Sequence, residues 1–341
     1  MKTRLRDSQT LIVHVGLGKT GTTTLQKHVF PRLAEAGTTA FNPGETQRVF
    51  NRIAARSDYT GADTAFDFTA LAENTILLSD ERLIGWNPAF WAERCAQIEG
   101  LFGPSATILL TLRDPESYLR SMYQQQIHQG NVSGPRDFFL PEDEFRKYEN
   151  ITRVRLNEIC NVDAMDFKGL VNDLGARFAR VIVVPFPDLF DLRFLPEIVD
   201  IQEKRLAALR DTVARLARKN QSYSNLAMRL TFLRERILNA LGLKSLGTHD
   251  RYRNLANAEA GEISRGWKRF LWPLVTWRGL MQATLPKLTG HRPYRLPRDI
   301  HRGAFYERNI AFFERLKDVG MMELKPDSGG IAHDNAAKAG H

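Results

Sequence analysis

The residues best suited to chemistry lie in the segment Leu11–Gln26, LIVHVGLGKTGTTTLQ. A short β-branched apolar run precedes glycines, a lysine and a group of threonines, and a helical pattern follows. Glycine lets the backbone approach an anion closely, and the N–H groups at the start of a helix attract phosphate oxygens. The segment therefore predicts a strand, a phosphate-binding loop and a helix.

Three nucleotide-binding patterns overlap in this loop and imply different chemistry. Gly16, Gly18 and Gly21 form the GxGxxG pattern of dinucleotide-binding proteins. Such a site also needs an acidic residue about twenty residues further on, where it binds the ribose. This chain has Asn42 there, so the sequence disfavours NAD as the ligand.

The second pattern is Gly18-Lys19-Thr20, which matches the end of an ATP-binding P-loop. The glycine that this motif needs five positions before Gly18 is replaced by Val13, inside the predicted strand. An ATP- and Mg²⁺-dependent kinase or NTPase is the alternative function. Against it, Arg113 follows the strand ATILLTL before any acid that could hold the metal.

The third pattern is Lys19–Thr23, which matches Lys-[ST]-Gly-[ST]-[ST], and here the chain resembles the sulfotransferases that use 3′-phosphoadenosine 5′-phosphosulfate (PAPS). A second motif supports the resemblance. Arg113-Asp114-Pro115 ends the strand ATILLTL, and Ser121 follows Arg113 by eight residues. The resemblance implies that the first motif holds the 5′-phosphosulfate and that the second holds the 3′-phosphate. The implied cofactor-binding residues are Gly18, Lys19, Thr20, Gly21, Thr22, Thr23, Thr24, Arg113 and Ser121.

The resemblance also implies the reaction, an in-line sulfuryl transfer from PAPS to an acceptor hydroxyl that releases adenosine 3′,5′-bisphosphate (PAP). Lys19 would neutralise charge on the departing phosphate oxygen. The general base is expected after the strand TILLS, where Asp80, Glu81 and Arg82 follow. Glu81 is the candidate base and Asp80 the alternative. The competing interpretation is that Glu81 pairs with Arg82 or caps a turn. No metal is expected.

Strand-like and helix-like segments alternate along the first 200 residues, which predicts an α/β fold. The resemblance implies a P-loop-kinase-like parallel sheet flanked by helices, with a mostly helical C-terminal extension. We expect a core over residues 8–200, a helical part of the same domain over 201–325, and a loose tail over 326–341. Residues 131–150 are polar and broken by Pro and Gly, which indicates an excursion or lid.

Charge and composition limit the partners. The chain of 341 residues has a net charge of +9, and residues 201–303 hold 21 Lys and Arg against 7 Asp and Glu. This basic region favours an anionic or amphiphilic acceptor such as a saccharide or glycolipid, or it forms a solvated helical face. No nucleic-acid-binding motif accompanies it. Cys95 and Cys160 are too few for a disulfide scaffold, and this favours a reducing, cytoplasmic compartment. Both cysteines are expected to be buried.

A tryptophan-rich basic segment spans residues 263–290 and contains Trp267, Trp272 and Trp277. Aromatic and basic residues together suit a packed helical lid, an acceptor site or a peripheral membrane contact. Pro273 interrupts any long helix there. No apolar run approaches the roughly 18 residues of a membrane span. The sequence leaves the oligomeric state open.

Overall fold

A computed structural model of the chain describes residues 3–35, 37–44, 46–55, 66–128, 132–148, 159–217, 224–241, 292–301 and 303–325. The tryptophan-rich segment 263–290 and the tail 326–341 lie outside these ranges. The described strands are β1 Thr10–His14, β2 Thr39–Phe41, β3 Thr75–Ser79, β4 Thr107–Leu112, β5 Phe139–Leu140, β6 Cys160–Asn161, β7 Arg180–Pro185 and β8 Met322–Leu324.

Helices connect and cover these strands. A π-helical turn at Leu25–Val29 joins α1 to α2, so that one helical segment follows the loop after β1. The described helices are α1 Thr22–Thr24, α2 Phe30–Ala34, α3 Thr46–Ala55, α4 Trp91–Phe102, α5 Pro115–His128, α6 Pro135–Phe138, α7 Glu142–Arg146, α8 Phe167–Arg177, α9 Leu195–Ile198, α10 Glu203–Ala217, α11 Asn225–Ala240 and α12 Ala304–Val319.

The central sheet has six strands in the order β2-β3-β1-β4-β7-β8. All neighbouring pairs are parallel except β7 and β8, which run antiparallel. The inner strands are apolar along their length because helices cover both faces of such a sheet. Every residue of β4 is buried. The predicted α/β class with a mostly parallel sheet is therefore confirmed.

The hydrophobic core packs one helical layer against the sheet. Adjacent strands contribute Ile12, Leu77, Leu109 and Ile182, all buried. Buried residues of the helical segment after β1 and of α10 pack in the same core; they are Leu25, Val29, Phe30, Leu33, Leu206, Leu209 and Val213. This packing fixes the direction in which the helix leaves the loop after β1.

The strand order defines where a ligand would bind. β1 lies between β3 and β4, with His14 opposite both Ser79 and Leu109. After β1 the chain continues to β2 and β3, on one side of β1 in the sheet, and after β4 it continues to β7, on the other side. The direction in which strands are added therefore reverses between the neighbouring strands β1 and β4. Ligands of open α/β sheets bind at the carboxyl ends of the strands at such a point. The loop after β1 and the residues after β4 therefore border the expected crevice.

The chain divides into two compact units that are interleaved along the sequence. The first unit takes residues 1–115, 164–217 and 307–341, and it contains the central sheet. The second takes residues 116–163 and 218–306.

Cys95 and Cys160 are free thiols and are buried, as predicted.

The second unit has its own aromatic cluster. The ring of Tyr123 lies 5.8 Å from that of Phe138, and 5.9 Å from those of Phe139 and Tyr294. The Tyr123 hydroxyl donates to the Ser133 carbonyl at 2.6 Å. The described part of the predicted excursion, residues 132–148, thus forms α6, β5 and α7 and packs as a folded element.

Within the described ranges, no helix is long and apolar enough to cross a membrane.

Candidate active site

The loop after β1 is tied to the neighbouring strand β4 by Thr20. The buried Thr20 hydroxyl donates to the Leu17 carbonyl at 2.5 Å and lies 2.6 Å from Thr111 Oγ1. The Leu17 amide donates to the Thr111 carbonyl. The side chain of Thr20 therefore anchors the loop, and its predicted role in cofactor binding stays a prediction.

Two residues of the loop have left-handed backbone conformations. Gly21 has φ +84° and Lys19 has φ +69°. A Cβ atom at Gly21 would lie 2.5 Å from Leu189 Cδ2 and 3.3 Å from Phe186 Cε2. Glycine is thus required at position 21 for its conformation and for its size. Non-glycine residues at positive φ are rare and cluster at functional sites, where the surrounding structure maintains the strain. The strained residue here is the exposed Lys19.

The helical segment begins without a side-chain cap, which leaves its first donors for another acceptor. Gly21 is the N-cap residue and makes no capping hydrogen bond. Within the described residues, the amides of Gly18, Gly21, Thr22 and Thr23 have no acceptor, and the buried Thr22 hydroxyl has no partner. Thr24, also buried, lies two residues after Thr22 in the helix. Unpaired donors at a helix N-terminus form an anion-binding site.

Arg113 joins the two sequence motifs. It follows β4, and its Nη1 donates to the Lys19 carbonyl at 3.0 Å. Its guanidinium carbon lies over the Phe186 ring, 4.7 Å from the ring centre, so the group makes a cation–π contact as well as a hydrogen bond. The structure therefore brings Arg113 to the loop of Lys19. Ser121 lies half-buried on α5 in the second unit, and its role at the cofactor stays a prediction.

The two candidate bases after β3 differ in their partners. Both Asp80 oxygens accept from the Arg82 side chain, at 2.8 Å and 2.5 Å, and the Arg82 amide donates to Asp80 Oδ1 at 2.8 Å. Arg82 also donates to Asn51 Oδ1 at 2.9 Å. Arg82 thus pairs with the buried Asp80. The role of Glu81 as the base stays a prediction.

The Glu81 carboxylate lies close enough to Lys19 for their charges to interact. Glu81 is exposed, yet neighbouring protein atoms partly desolvate its carboxylate and raise its pKa. The positive charge of Lys19 opposes this rise, the negative charge of Asp80 adds to it, and Arg82 lowers it. A carboxylate with a raised pKa beside a lysine suits a group that accepts a proton during a reaction.

No family model, curated protein or solved structure matches the chain. Within the part of the chain that the structure describes, no group of three His, Cys, Asp or Glu could hold a metal ion. The described groups at this edge of the sheet include the helix-start donors, the cations Lys19, Arg82 and Arg113, and the Glu81 carboxylate, whose pKa is raised.

Ser79, the last residue of β3, is held by three side chains through contacts that were not predicted from the sequence. His14 Nδ1 lies 2.8 Å from the Ser79 hydroxyl. Gln26 Nε2 donates to the carbonyl and hydroxyl of Ser79, both at 3.1 Å. The Asn42 amide exchanges two hydrogen bonds with the Ser79 backbone, at 3.2 Å and 2.8 Å. These contacts fix the strand end that carries Asp80 and Glu81, and they give Asn42 a structural role.

His14 is a neutral histidine buried beneath the loop. It is fully buried, and burial lowers its pKa to about 3. Among the described residues, its Nε2 has no hydrogen-bond partner. A Cβ atom at Gly16 would lie 2.8 Å from this nitrogen and would overlap Thr111 Oγ1. Gly16 is therefore needed for close packing of the loop over His14. In the sequence, the feature that could have drawn attention to His14 is its position: a polar residue at the end of a strand, directly before a predicted phosphate-binding loop.

The titration of His14 predicts a pH-dependent stability. The unfolded chain binds a proton on His14 near pH 6.5, whereas the folded chain does so only near pH 3. Between these values the unfolded state holds more protons, so the stability that depends on neutral His14 is lost as the pH falls. When the pH is lowered from 7 to 5, we expect the unfolding free energy of wild type to fall by about 2 kcal/mol more than that of His14→Asn. The asparagine can still contact Ser79 but cannot titrate.

Urea unfolding of both proteins at the two pH values measures this difference. The carboxylates are common to both proteins, so their contributions cancel. Equal losses in wild type and His14→Asn would show that the imidazole does not stay neutral in the folded protein.

Proposed function

We propose that the chain is a sulfotransferase that moves the sulfuryl group of PAPS to an acceptor hydroxyl. One observation supports this most: the arginine of the second motif, Arg113, hydrogen-bonds the carbonyl of the loop lysine, Lys19, at 3.0 Å. The two motifs are 94 residues apart in the chain, and a site for a nucleotide with phosphates at both ends needs them at one edge of the sheet. Glu81 adds a carboxylate beside Lys19.

In this proposal the loop donors bind the 5′-phosphosulfate. The amides of Gly18, Gly21, Thr22 and Thr23 and the Thr22 hydroxyl supply hydrogen bonds, and the start of the helix supplies a favourable dipole. Arg113 is the proposed ligand of the 3′-phosphate, because a planar guanidinium can bind a phosphate by two parallel hydrogen bonds. Ser121 is proposed as a second ligand of that phosphate.

The transfer step then needs one base and one cation. Glu81 accepts the proton of the acceptor hydroxyl as the hydroxyl oxygen forms a bond to sulfur. The bond between sulfur and the 5′-phosphate oxygen breaks, and its electron pair stays on that oxygen. Lys19 stabilises the new charge there, as electrostatic catalysis requires. Asp80, held by Arg82, positions the strand end and is not the base.

An ATP- and Mg²⁺-dependent reaction fits this site less well. Asp80 follows β3, which lies beside β1, so it is the acid best placed to hold a metal near the loop. Both of its oxygens accept hydrogen bonds from Arg82, and a metal would have to displace this pair. NAD fits less well too, because β3 and not β2 lies beside β1, in contrast to the order of dinucleotide-binding sheets.

Thermal unfolding with three ligands in parallel tests the proposal. We expect PAP to raise the melting temperature, because a ligand at about 100 times its Kd adds about 2.7 kcal/mol to the unfolding free energy. ATP with Mg²⁺ and NAD are expected to have smaller effects. Stabilisation by ATP and Mg²⁺ alone would support the kinase and overturn the sulfotransferase. Radiolabelled PAPS with saccharides and glycolipids then identifies the acceptor, for which the basic region 201–303 favours an anionic or amphiphilic molecule.

A further inference from the structure

Helix α11 in the second unit packs through one face. Ala227 and Met228 are fully buried, and Thr231 on the same side is buried with its hydroxyl donating to the Ala227 carbonyl. The helix start is tied down as well, since the Asn225 amide donates to the Arg292 carbonyl at 2.8 Å. This face accounts for how the helix is held in the unit.

The opposite face of α11 is also apolar, but it is exposed. The exposed fractions are 38% for Leu226, 53% for Leu233, 51% for Ile237 and 67% for Leu241, which directly follows the helix. Their spacings of seven, four and four residues place them in one row along the helix. Single exposed leucines are ordinary, whereas a contiguous exposed row of apolar residues indicates a surface that contacts another protein or a membrane. We call these four residues the exposed row.

Arginines border the exposed row. Arg229 and Arg236 are exposed and follow Leu226 and Leu233 by three residues each, so both lie on the same flank. Arg292, also exposed, lies at the start of the helix through its bond to Asn225. The one acid of the helix, Glu235, lies on the side opposite the row. An apolar row with a positive border is complementary to an apolar surface that carries negative charge.

We propose that this face of α11 docks on an anionic lipid surface. The exposed row would enter the boundary between headgroups and acyl chains, while the arginines keep their charged ends among the phosphates. A second copy of the chain fits less well. An antiparallel pair of such helices would set Arg229 and Arg236 against the same residues of the other copy, and like charges there repel.

Vesicle flotation of the full chain tests the proposal. Wild type is expected to float with phosphatidylcholine vesicles that contain phosphatidylserine, and to float much less with pure phosphatidylcholine or at high salt. The double variant Leu233→Glu/Ile237→Glu should lower the partition coefficient about tenfold or more, because it removes two inserted side chains and adds negative charge. Arg229→Gln/Arg236→Gln should lower binding to the anionic vesicles only.

Val319→Glu is the matched control, since Val319 is an equally exposed apolar residue on α12, and it should float like wild type. The substituted side chains are exposed, so the variants should keep the melting temperature of wild type. The proposal is overturned if wild type floats with neither vesicle, or if Leu233→Glu/Ile237→Glu floats as well as wild type. It is also overturned if wild type is a dimer by light scattering that this double variant dissociates.

Discussion

Replacement of Glu81 by glutamine is expected to reduce sulfuryl transfer by about 10²- to 10⁴-fold, the usual contribution of a general base. Glutamine keeps the size and hydrogen-bonding capacity of the side chain but cannot accept a proton. PAP affinity should stay nearly unchanged, because the proposed phosphate ligands are in the loop, in the helix start and at Arg113. PAP release from PAPS with a reactive acceptor measures the first quantity, and calorimetry measures the second.

The pH dependence of the same reaction gives an independent check. Desolvation raises the pKa of Glu81, and a base works only when deprotonated. Wild-type kcat should therefore fall as the pH falls through this raised pKa, and the residual activity of Glu81→Gln should lack this acidic limb.

Asp80→Asn is the control for Glu81→Gln. It weakens the pair with Arg82, whose Nη2 lies 2.5 Å from the Asp80 carboxylate, so we expect lower stability but a retained acidic limb. Near-normal turnover of Glu81→Gln would remove Glu81 from the role of base.

The strands and helices of the first unit could be predicted because their patterns are local. β1, β3, β4 and β7 are short apolar runs bounded by polar or turn residues, as expected for strands covered on both faces. β8 was not predicted, since it has three residues that are only half-buried or exposed. It owes its pairing to β7, more than 130 residues earlier in the chain. No pattern within Met322–Leu324 carries that information.

The site was predictable only as far as each motif is local. The loop residues and Arg113 are recognisable by type and spacing, but the contacts of Ser79 come from His14, Gln26 and Asn42, which are 37 to 65 residues away. The sequence also could not separate Asp80 from Glu81, because neighbouring residues follow the same strand. In the structure the Arg82 side chain pairs with Asp80, whereas the charge of Lys19 acts on Glu81.

The other large expected effect is a loss of PAP affinity on substitution of a loop glycine, Gly21, for which Gly18 provides a matched control. Gly21→Ala must adopt φ +84° and place its Cβ against Leu189, a strain of about 1–3 kcal/mol. The loop can relieve this strain only by moving away from the geometry that binds the anion. We therefore expect PAP affinity to fall by about 10- to 100-fold, as that energy implies.

Gly18→Ala is the control, because a Cβ there meets nothing within 4 Å and needs no left-handed conformation. It should bind PAP nearly as wild type does. Titration calorimetry with PAP measures both variants, and circular dichroism confirms that they fold. Equal affinities would show that the conformation at Gly21 does not control the anion site. A loss in both variants would instead indicate that an anion needs close backbone approach at Gly18 as well, because the added methyl group meets no protein atom within 4 Å.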